Sequence, residues 1–229
     1  MKILAIGAHP DDIEIFMYGI LSIYKKMGEE LYLLVATDGS KGGDNIKKNL
    51  IEIRKKETIS GLKKIGIPTL LNLPDGGLGE YIEHKKEIEV QINKISPDLI
   101  ITHFKNDYHS DHNKLSKIVS EIVSHYIPIL YCDTMLGINF NPNYYVDITN
   151  HFSDKKKAIM CHKSQSPERF VKLAILMNSF RAAQCNAQEG IFAEAFKFKR
   201  GFPFSDIRNL LPQGLKIRPF YIDNVNGFL

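Results

Sequence analysis

The chain of 229 residues contains no tryptophan and only three cysteines. Cys132, Cys161 and Cys185 are odd in number and far apart, with no Cys-x-x-Cys pair for a zinc knuckle or redox motif. They read as reduced, buried thiols. Long hydrophobic runs are missing as well. The stretch from Ile3 to Ala8 falls far short of the roughly 20 residues needed to cross a bilayer, and it ends in His9-Pro10-Asp11-Asp12. Lys2 followed by so brief an apolar run lacks the pattern of a secretory leader, so the expected compartment is the cytoplasm. Neither sign of charge dominates: 30 Lys and Arg face 26 Asp and Glu, a net +4 with no block of like charge. Basic runs such as Lys47-Lys48, Lys55-Lys56, Lys63-Lys64 and Lys155-Lys156-Lys157 read as solvated helix faces, no aromatic-interleaved RNA motif accompanies them, and no nucleic-acid partner is expected. What remains, 44% hydrophobic and 24% charged residues, is the composition of a soluble globular protein. With no repeat, linker or low-complexity tract, residues 1–229 are read as one domain.

Short β-rich runs alternate with longer periodic stretches, the pattern of βαβ units and a mostly parallel sheet flanked by helices, a Rossmann-like α/β fold. Strands are predicted at Ile3 to Gly7, Leu31 to Thr37, Thr69 to Leu73, Asp98 to Thr102, Ile129 to Cys132, Tyr144 to Ile148 and Ile191 to Phe198. Helices are predicted at Ile13 to Met27, Asp44 to Ile65 with an interruption at Gly61, Glu83 to Ile95, Asn113 to Tyr126, and Pro167 to about Cys185. The segment after Gly201 is weakly patterned and is expected to wrap the core or join a subunit contact. No dinucleotide site is expected, because Gly7-Ala8-His9 does not supply the Gly-x-Gly-x-x-Gly loop that lets backbone approach a pyrophosphate.

In open α/β sheets ligands sit outside the carboxyl ends of the strands. The polar residues that follow the predicted strands converge there. His9, Asp11 and Asp12 follow the first strand, Thr37-Asp38-Gly39 the second, and His103, Asn106, Asp107, His109, Asp111 and His112 the fourth. Histidine–carboxylate sets are what zinc and related divalent metals bind. His9 and Asp12 are three apart at a strand-to-helix turn, which points both the same way if the turn is already helical. In the second cluster His109 and His112 form another such pair, and either is able to complete a site of two histidines and one carboxylate. Such a site activates water and polarises a carbonyl while a neighbouring carboxylate takes a proton, which is equipment for amide hydrolysis. His84, His125 and His151 read as surface or satisfied core histidines, and His103 is ambiguous at its strand end.

At these residues the sequence becomes recognisable. Ala8-His9-Pro10-Asp11-Asp12-Ile13-Glu14, Thr37-Asp38-Gly39, Arg54-Lys55-Lys56-Glu57, Asp107-Tyr108-His109-Ser110-Asp111-His112 and His162-Lys163-Ser164-Gln165 together resemble the LmbE-like (PIG-L) family of zinc-dependent N-deacetylases. The resemblance covers roughly the first 165 residues and leaves 166–229 as an extension. It implies one Zn2+ per chain, or another divalent metal such as Fe2+, held by His9, Asp12 and His112. It further implies Asp11 as general base, His109 as the group that stabilises the oxyanion or protonates the leaving amine, and Asp111 as the residue orienting a histidine. Arg54 matches a family arginine near the substrate; by itself it reads as an exposed helix arginine paired with Glu57 or Glu52. Asp38, His103 and Asp107 join Arg54 as candidate substrate contacts. The resemblance implies a small amino-sugar substrate of the N-acetylglucosamine type, and oligomeric assembly is expected on the same ground. An anionic group on the far side of that sugar would be clamped by Arg54. The rivals are a zinc amidase for another N-acyl compound and a non-catalytic Rossmann-like module binding a sugar or nucleotide. The chain departs from the family where Phe16-Met17-Tyr18 replaces a glycine-rich helix start, keeping only Gly19, and where Phe104 and Ser110 replace frequent prolines.

Overall fold

The computed structural model describes residues 1–43, 49–201 and 206–217. Seven strands form one sheet: β1 (Lys2–Gly7), β2 (Glu30–Thr37), β3 (Thr69–Leu73), β4 (Leu99–Thr102), β5 (Ile129–Cys132), β6 (Tyr144–Asp147) and β7 (Ala193–Lys199). Their order is β3-β2-β1-β4-β5-β7-β6. The first five are parallel, and β7 runs antiparallel between β5 and β6. The mostly parallel α/β sheet read from the sequence is therefore present. Its direction of winding reverses between β1 and β4, the switch point where ligand crevices open.

Side chains alternate across each strand and feed two cores. Ile3 and Ala5 of β1 join Leu33, Val35, Leu99 and Ile101 on one face, whereas Leu4 and Ile6 join Leu34 and Ile100 on the other. The first face is covered by α1 (Asp12–Phe16), α2 (Tyr18–Lys26) and α6 (Thr149–Ile159), and the second by α4 (Ile82–Ile95) and α5 (Ser110–Val123). α3 (Leu50–Leu62) and α7 (Pro167–Ala183) complete the helices. Among the described residues no helix is long and apolar enough to cross a membrane.

Two predicted helices differ in form, and a third helix has no predicted range. The helix expected over 13–27 is two helices, broken at Met17, whose φ of −130° is not helical. Glu194 causes the restart: its carboxylate accepts from the Gly19 and Ile20 amides at 2.8 and 2.9 Å, satisfying orphan donors at the positive end of α2. Gly19 is required there, since an added Cβ would lie 2.9 Å from the Glu194 carboxyl carbon and collide with Ile148. α3 includes Gly61 but ends one residue later at Leu62, short of the predicted Ile65, and the missing Cβ of Gly61 leaves room for Glu14 Oε1, 2.6 Å from where it would lie. The start of the predicted 44–65 helix lies at 44–48, outside the described residues. α6 was not anticipated. Its buried side includes Lys155, not solvated as its basic run suggests, among Phe152, Ala158 and Ile159, and Lys155 Nζ is matched by Glu194 at 2.8 Å and Asn178 at 3.0 Å. Beyond residue 206 the chain does wrap the core: Leu210 and Pro212 carbonyls accept from the Tyr24 and Tyr144 hydroxyls, and Leu215 N–H bonds to the Tyr145 carbonyl. The cysteines are free, with Cys132 and Cys185 buried and Cys161 half-buried.

Candidate active site

The loop after β1 turns back on itself. His9 N–H donates to Asp12 Oδ2 at 2.6 Å, and Asp12 N–H reaches the His9 carbonyl at 3.3 Å. This closed turn puts His9 and Asp12 on one side, as their spacing predicts. Asp11 between them sits at φ 143°, ψ −22°, a backbone region that costs a non-glycine residue on the order of 1–3 kcal/mol. The strain is held by Arg54, which donates to the Gly39 and Pro10 carbonyls at 3.0 and 2.8 Å and to Asp11 Oδ2 at 3.1 Å.

From β4 comes the second half. Asp107 Oδ1 accepts from His109 N–H at 3.0 Å, and His109 Nδ1 accepts from Asp111 N–H at 3.2 Å, so His109 caps α5 with its own side chain. The helix begins at Ser110, three residues before the predicted start, because of this cap. His112, in the first turn of α5, then projects toward the β1 loop. Its Nε2 lies 3.3 Å from Asp12 Oδ1 and its Nδ1 3.2 Å from Asp107 Oδ2. His9 Nδ1 stands 3.4 Å from Asp12 Oδ2. Two loops separated by nearly a hundred residues thus share one carboxylate.

On its other edge, His9 Nε2 faces Asp75 Oδ1 at 3.2 Å and Asp111 Oδ2 at 3.3 Å. Asp111 is further fixed by Gly76 N–H at 2.7 Å. Burial opposes charge on these rings, yet the hydrogen bonds of His9 to Asp111, Asp12 and Asp75 outweigh it and push His9 up to about 12. His112, against the charge of Asp12 and the bond to Asp107, is pushed up to about 9 despite its burial. Burial raises the Asp11 carboxyl, opposed by the Arg54 charge. Burial and then the neighbouring His9 and His112 lower His109.

The donor chemistry fits a divalent cation. The overlapping sets His9/His109/His112, Asp12/His103/His112 and His9/Asp75/Asp111 each bring one ligand atom per residue within 4.8 Å of the others. Among the described residues, Asp111 Oδ1 is buried with no hydrogen-bond partner, and four carboxylates crowd rings that must otherwise take protons to neutralise them. A cation supplies that neutralisation directly. The set is one of imidazole and carboxylate, suited to zinc and its first-row neighbours.

A cavity of about 380 Å³ opens over this cluster. His9, Asp11, Asp12, Arg54, His109 and His112 all line it. Asp38, His103, Asp107 and Asp111 do not. Asp38 is spent on loop structure, accepting from the Ser40 and Asp75 amides. Asp107 backs His112, and Asp111 backs His9. Arg54 is buried at 3% exposure, not exposed, and pairs with neither Glu52 nor Glu57; Glu57 instead holds Ser164 through its amide and hydroxyl. His84 is a satisfied buried histidine accepting from Gly79 N–H, and His125 is exposed.

Sequence reasoning missed several lining residues. Asp75 follows β3 as Asp38 follows β2, so its strand-end position was a signal, obscured by the turn chemistry of Pro74-Asp75-Gly76-Gly77. Tyr108 lies inside a quoted motif but had no assignment. Gln165 likewise lies inside a quoted motif without an assignment, and Met135, Arg169 and Phe170 line the cavity from outside every motif.

With this geometry in place, the comparisons are direct. The PIG-L family, described as GlcNAc-PI de-N-acetylase, matches residues 4–123. The diacetylchitobiose deacetylase of Thermococcus kodakarensis is 29% identical over 192 residues, covering 73% of this chain and 71% of that protein. The N,N'-diacetylchitobiose deacetylase structure from Pyrococcus horikoshii superposes with a TM-score of 0.77 at 26% identity, covering 90% of this chain and 88% of the other. The same fold is seen at 15% identity and a TM-score of 0.72 in GalB, a 4-carboxy-2-hydroxymuconate hydratase from Pseudomonas putida, over 90% of this chain and 99% of that one. The matched segment holds both halves of the histidine–aspartate cluster, and the chain belongs to the PIG-L family.

Proposed function

We propose that the protein is a metal-dependent N-deacetylase that hydrolyses the N-acetyl group of a small amino sugar of the N-acetylglucosamine type, releasing acetate and a free amine. The observation that carries this reading is the sharing of Asp12 between His9 and His112, with Asp11 and His109 beside them on the cavity wall. Its substrate class rests on the two diacetylchitobiose deacetylases that the chain resembles. The whole chain, residues 1–229, is taken as one catalytic unit working in the cytoplasm.

His9, Asp12 and His112 would hold the cation, with Zn2+ the first candidate and Fe2+ compatible with the same donors. When bound, it supplies Lewis acidity toward the amide carbonyl and acidifies water. The remaining work belongs to side chains. Asp11, held in place by Arg54, accepts the proton from the attacking water at its carboxylate and returns it to the amide nitrogen as the C–N bond breaks, so that the amine leaves neutral. His109 spends Nδ1 on Asp111 N–H, so the neutral ring carries its proton on Nε2 and donates it as a hydrogen bond to the developing oxyanion. Asp111 and Asp75 orient His9 through Nε2, and Asp107 orients His112 through Nδ1.

A panel of N-acetylated sugars assayed for acetate release, with and without a chelator, tests this. Chelator-sensitive acetate release from an N-acetylglucosamine derivative is the expected result. Activity confined to other N-acyl compounds would favour the amidase rival, and binding without turnover the non-catalytic one.

A further inference from the structure

One histidine of the cluster never reaches the cavity. His103 follows β4 directly and is fully buried. Its ring is in contact on every side. It stacks on His112 with centroids 3.7 Å apart and planes 12° apart, and meets Phe16 edge-on at 6.1 Å. Nε2 lies 3.1 Å from Asp12 Oδ2 and is the atom at which the Ala8 N–H is aimed, also at 3.1 Å, and Nδ1 lies 4.0 Å from Cys132 Sγ. Through one side chain, β4 and β5 grip the loop that follows β1.

We propose that His103 is the positioning residue of the cation site, setting the orientation of the Asp12 carboxylate with Nε2 and the plane of the His112 ring by stacking. The inference rests on the reading that Asp12 and His112 hold a divalent cation. Asp12 has two oxygens with different surroundings. Oδ2 is tied to the His9 amide and to His103, which stops the carboxylate from rotating, while Oδ1 is directed at His112 Nε2. His112 is held at Nδ1 by Asp107 and across its face by His103, which leaves Nε2 aimed at the site. Nε2 of His103 faces two partners, the Asp12 carboxylate and the Ala8 N–H, and can donate to the first or accept from the second. A bond to an ionised carboxylate is roughly twice as strong as one between neutral groups, so the ring proton is placed on Nε2 for Asp12. No smaller side chain does both jobs: an amide can bond Asp12 but cannot stack, and a phenyl ring can stack but cannot bond.

Ligands fixed from behind need no reorganisation when the cation arrives, and groups in this outer position are typically worth 10–100-fold in metal affinity. His103→Phe and His103→Gln separate the two contributions. On the full chain, Zn2+ affinity is read by competition with a chromophoric chelator, folding by thermal unfolding without metal, and kcat and KM at saturating Zn2+. The expected result is folded variants, with Zn2+ affinity down about 10–100-fold in His103→Phe, a smaller loss in His103→Gln, and KM unchanged. Folded variants that bind Zn2+ as tightly as the parent protein overturn the proposal, as does a rise in KM at unchanged affinity, which would make His103 a substrate contact. The parent protein also tests it without any substitution. Imidazole 15N shifts should show His103 protonated on Nε2 before and after Zn2+ is added, while His112 shifts; a His103 protonated on Nδ1, with Nε2 accepting the Ala8 N–H, or one that loses its Nε2 proton to the metal, overturns the assignment. A parent protein that binds no divalent cation at all removes the underlying cation-site reading, and that failure is visible before any variant is made.

Discussion

Arg54 Nη2 lies 3.1 Å from Asp11 Oδ2, and the same nitrogen donates to the Pro10 carbonyl at 2.8 Å. The guanidinium therefore holds the proposed base and its strained backbone from behind. Three of its hydrogen bonds are spent on Asp11 and on the Pro10 and Gly39 carbonyls, and Nε is buried, so we assign it the support of Asp11. Arg54→Ala is expected to lower kcat, to move the acid limb of the pH–rate profile upward because burial then raises Asp11 without its largest opposing charge, and to cost roughly 3–5 kcal/mol of stability as a broken buried pair. Neutral and anionic N-acetylated sugars should lose kcat/KM equally. A selective loss for the anionic one would restore the clamp expected from the sequence.

Cation content offers a second check. Metal analysis of the purified protein is expected to give one divalent cation per chain, lost in His9→Ala and in His112→Ala. Unchanged content in both variants would contradict the ligand assignment.

Asp11→Asn should separate holding the cation from using it. The amide can keep its bond to Arg54 but cannot accept the water's proton, so kcat is expected to fall by roughly 10²–10⁴-fold while cation content stays the same. Near-normal turnover would exclude Asp11 as the base.

For His109 the geometry makes a choice that the sequence left open. Its lowered pKa and the Asp111 amide at Nδ1 favour a neutral donor over an imidazolium acid. His109→Ala should lower kcat without releasing the cation and should cost about 0.5–2 kcal/mol through the lost helix cap. The native enzyme should show no alkaline limb attributable to this ring below the ordinary range of lysine and tyrosine; an alkaline limb near neutrality that disappears in His109→Ala would reinstate the acid role.

Stability carries its own pH signature through His162, whose Nε2 bonds Glu14 Oε1 at 2.8 Å. Burial opposes its charge, but the Glu14 charge and hydrogen bond win and raise its pKa above 6.5. A raised histidine stabilises fully below its unfolded value near 6.5, and that contribution is lost as pH rises through the folded value. Urea unfolding of the parent protein between pH 6 and 9, compared with His162→Gln, should show a decline in the first that is flatter in the second. Parallel pH dependences would mean that His162 is not charged in the folded state.

How much of this was legible in the sequence depends on range. The turn of His9 and Asp12 is local, so spacing alone gave their common direction. The meeting of His9 with His112 is not local, and only the rule that ligands gather at strand ends brought them together. Met17 looked like a helix interior because the cause of the break, Glu194, arrives from the far end of the chain. α6 was hidden by Lys155, a charged residue buried on an otherwise apolar stripe. Arg54 looked like surface for the same reason: charge was read as exposure, when Asp11 and two carbonyls had made burial affordable.

The floor of the cavity and part of its rim come from different stretches of chain. Every residue assigned to the cation or to proton movement lies between His9 and His112, inside the segment that the family model matches, whereas Met135, Gln165, Arg169 and Phe170 lie beyond residue 123. These later residues enter none of the hydrogen bonds that fix His9, Asp12 or His112. Substitutions among them can accumulate without disturbing the reaction, so divergence in substrate scope within this lineage should be concentrated after residue 123, and a rim exchanged from a relative should change which sugar is accepted while leaving the pH profile of catalysis in place.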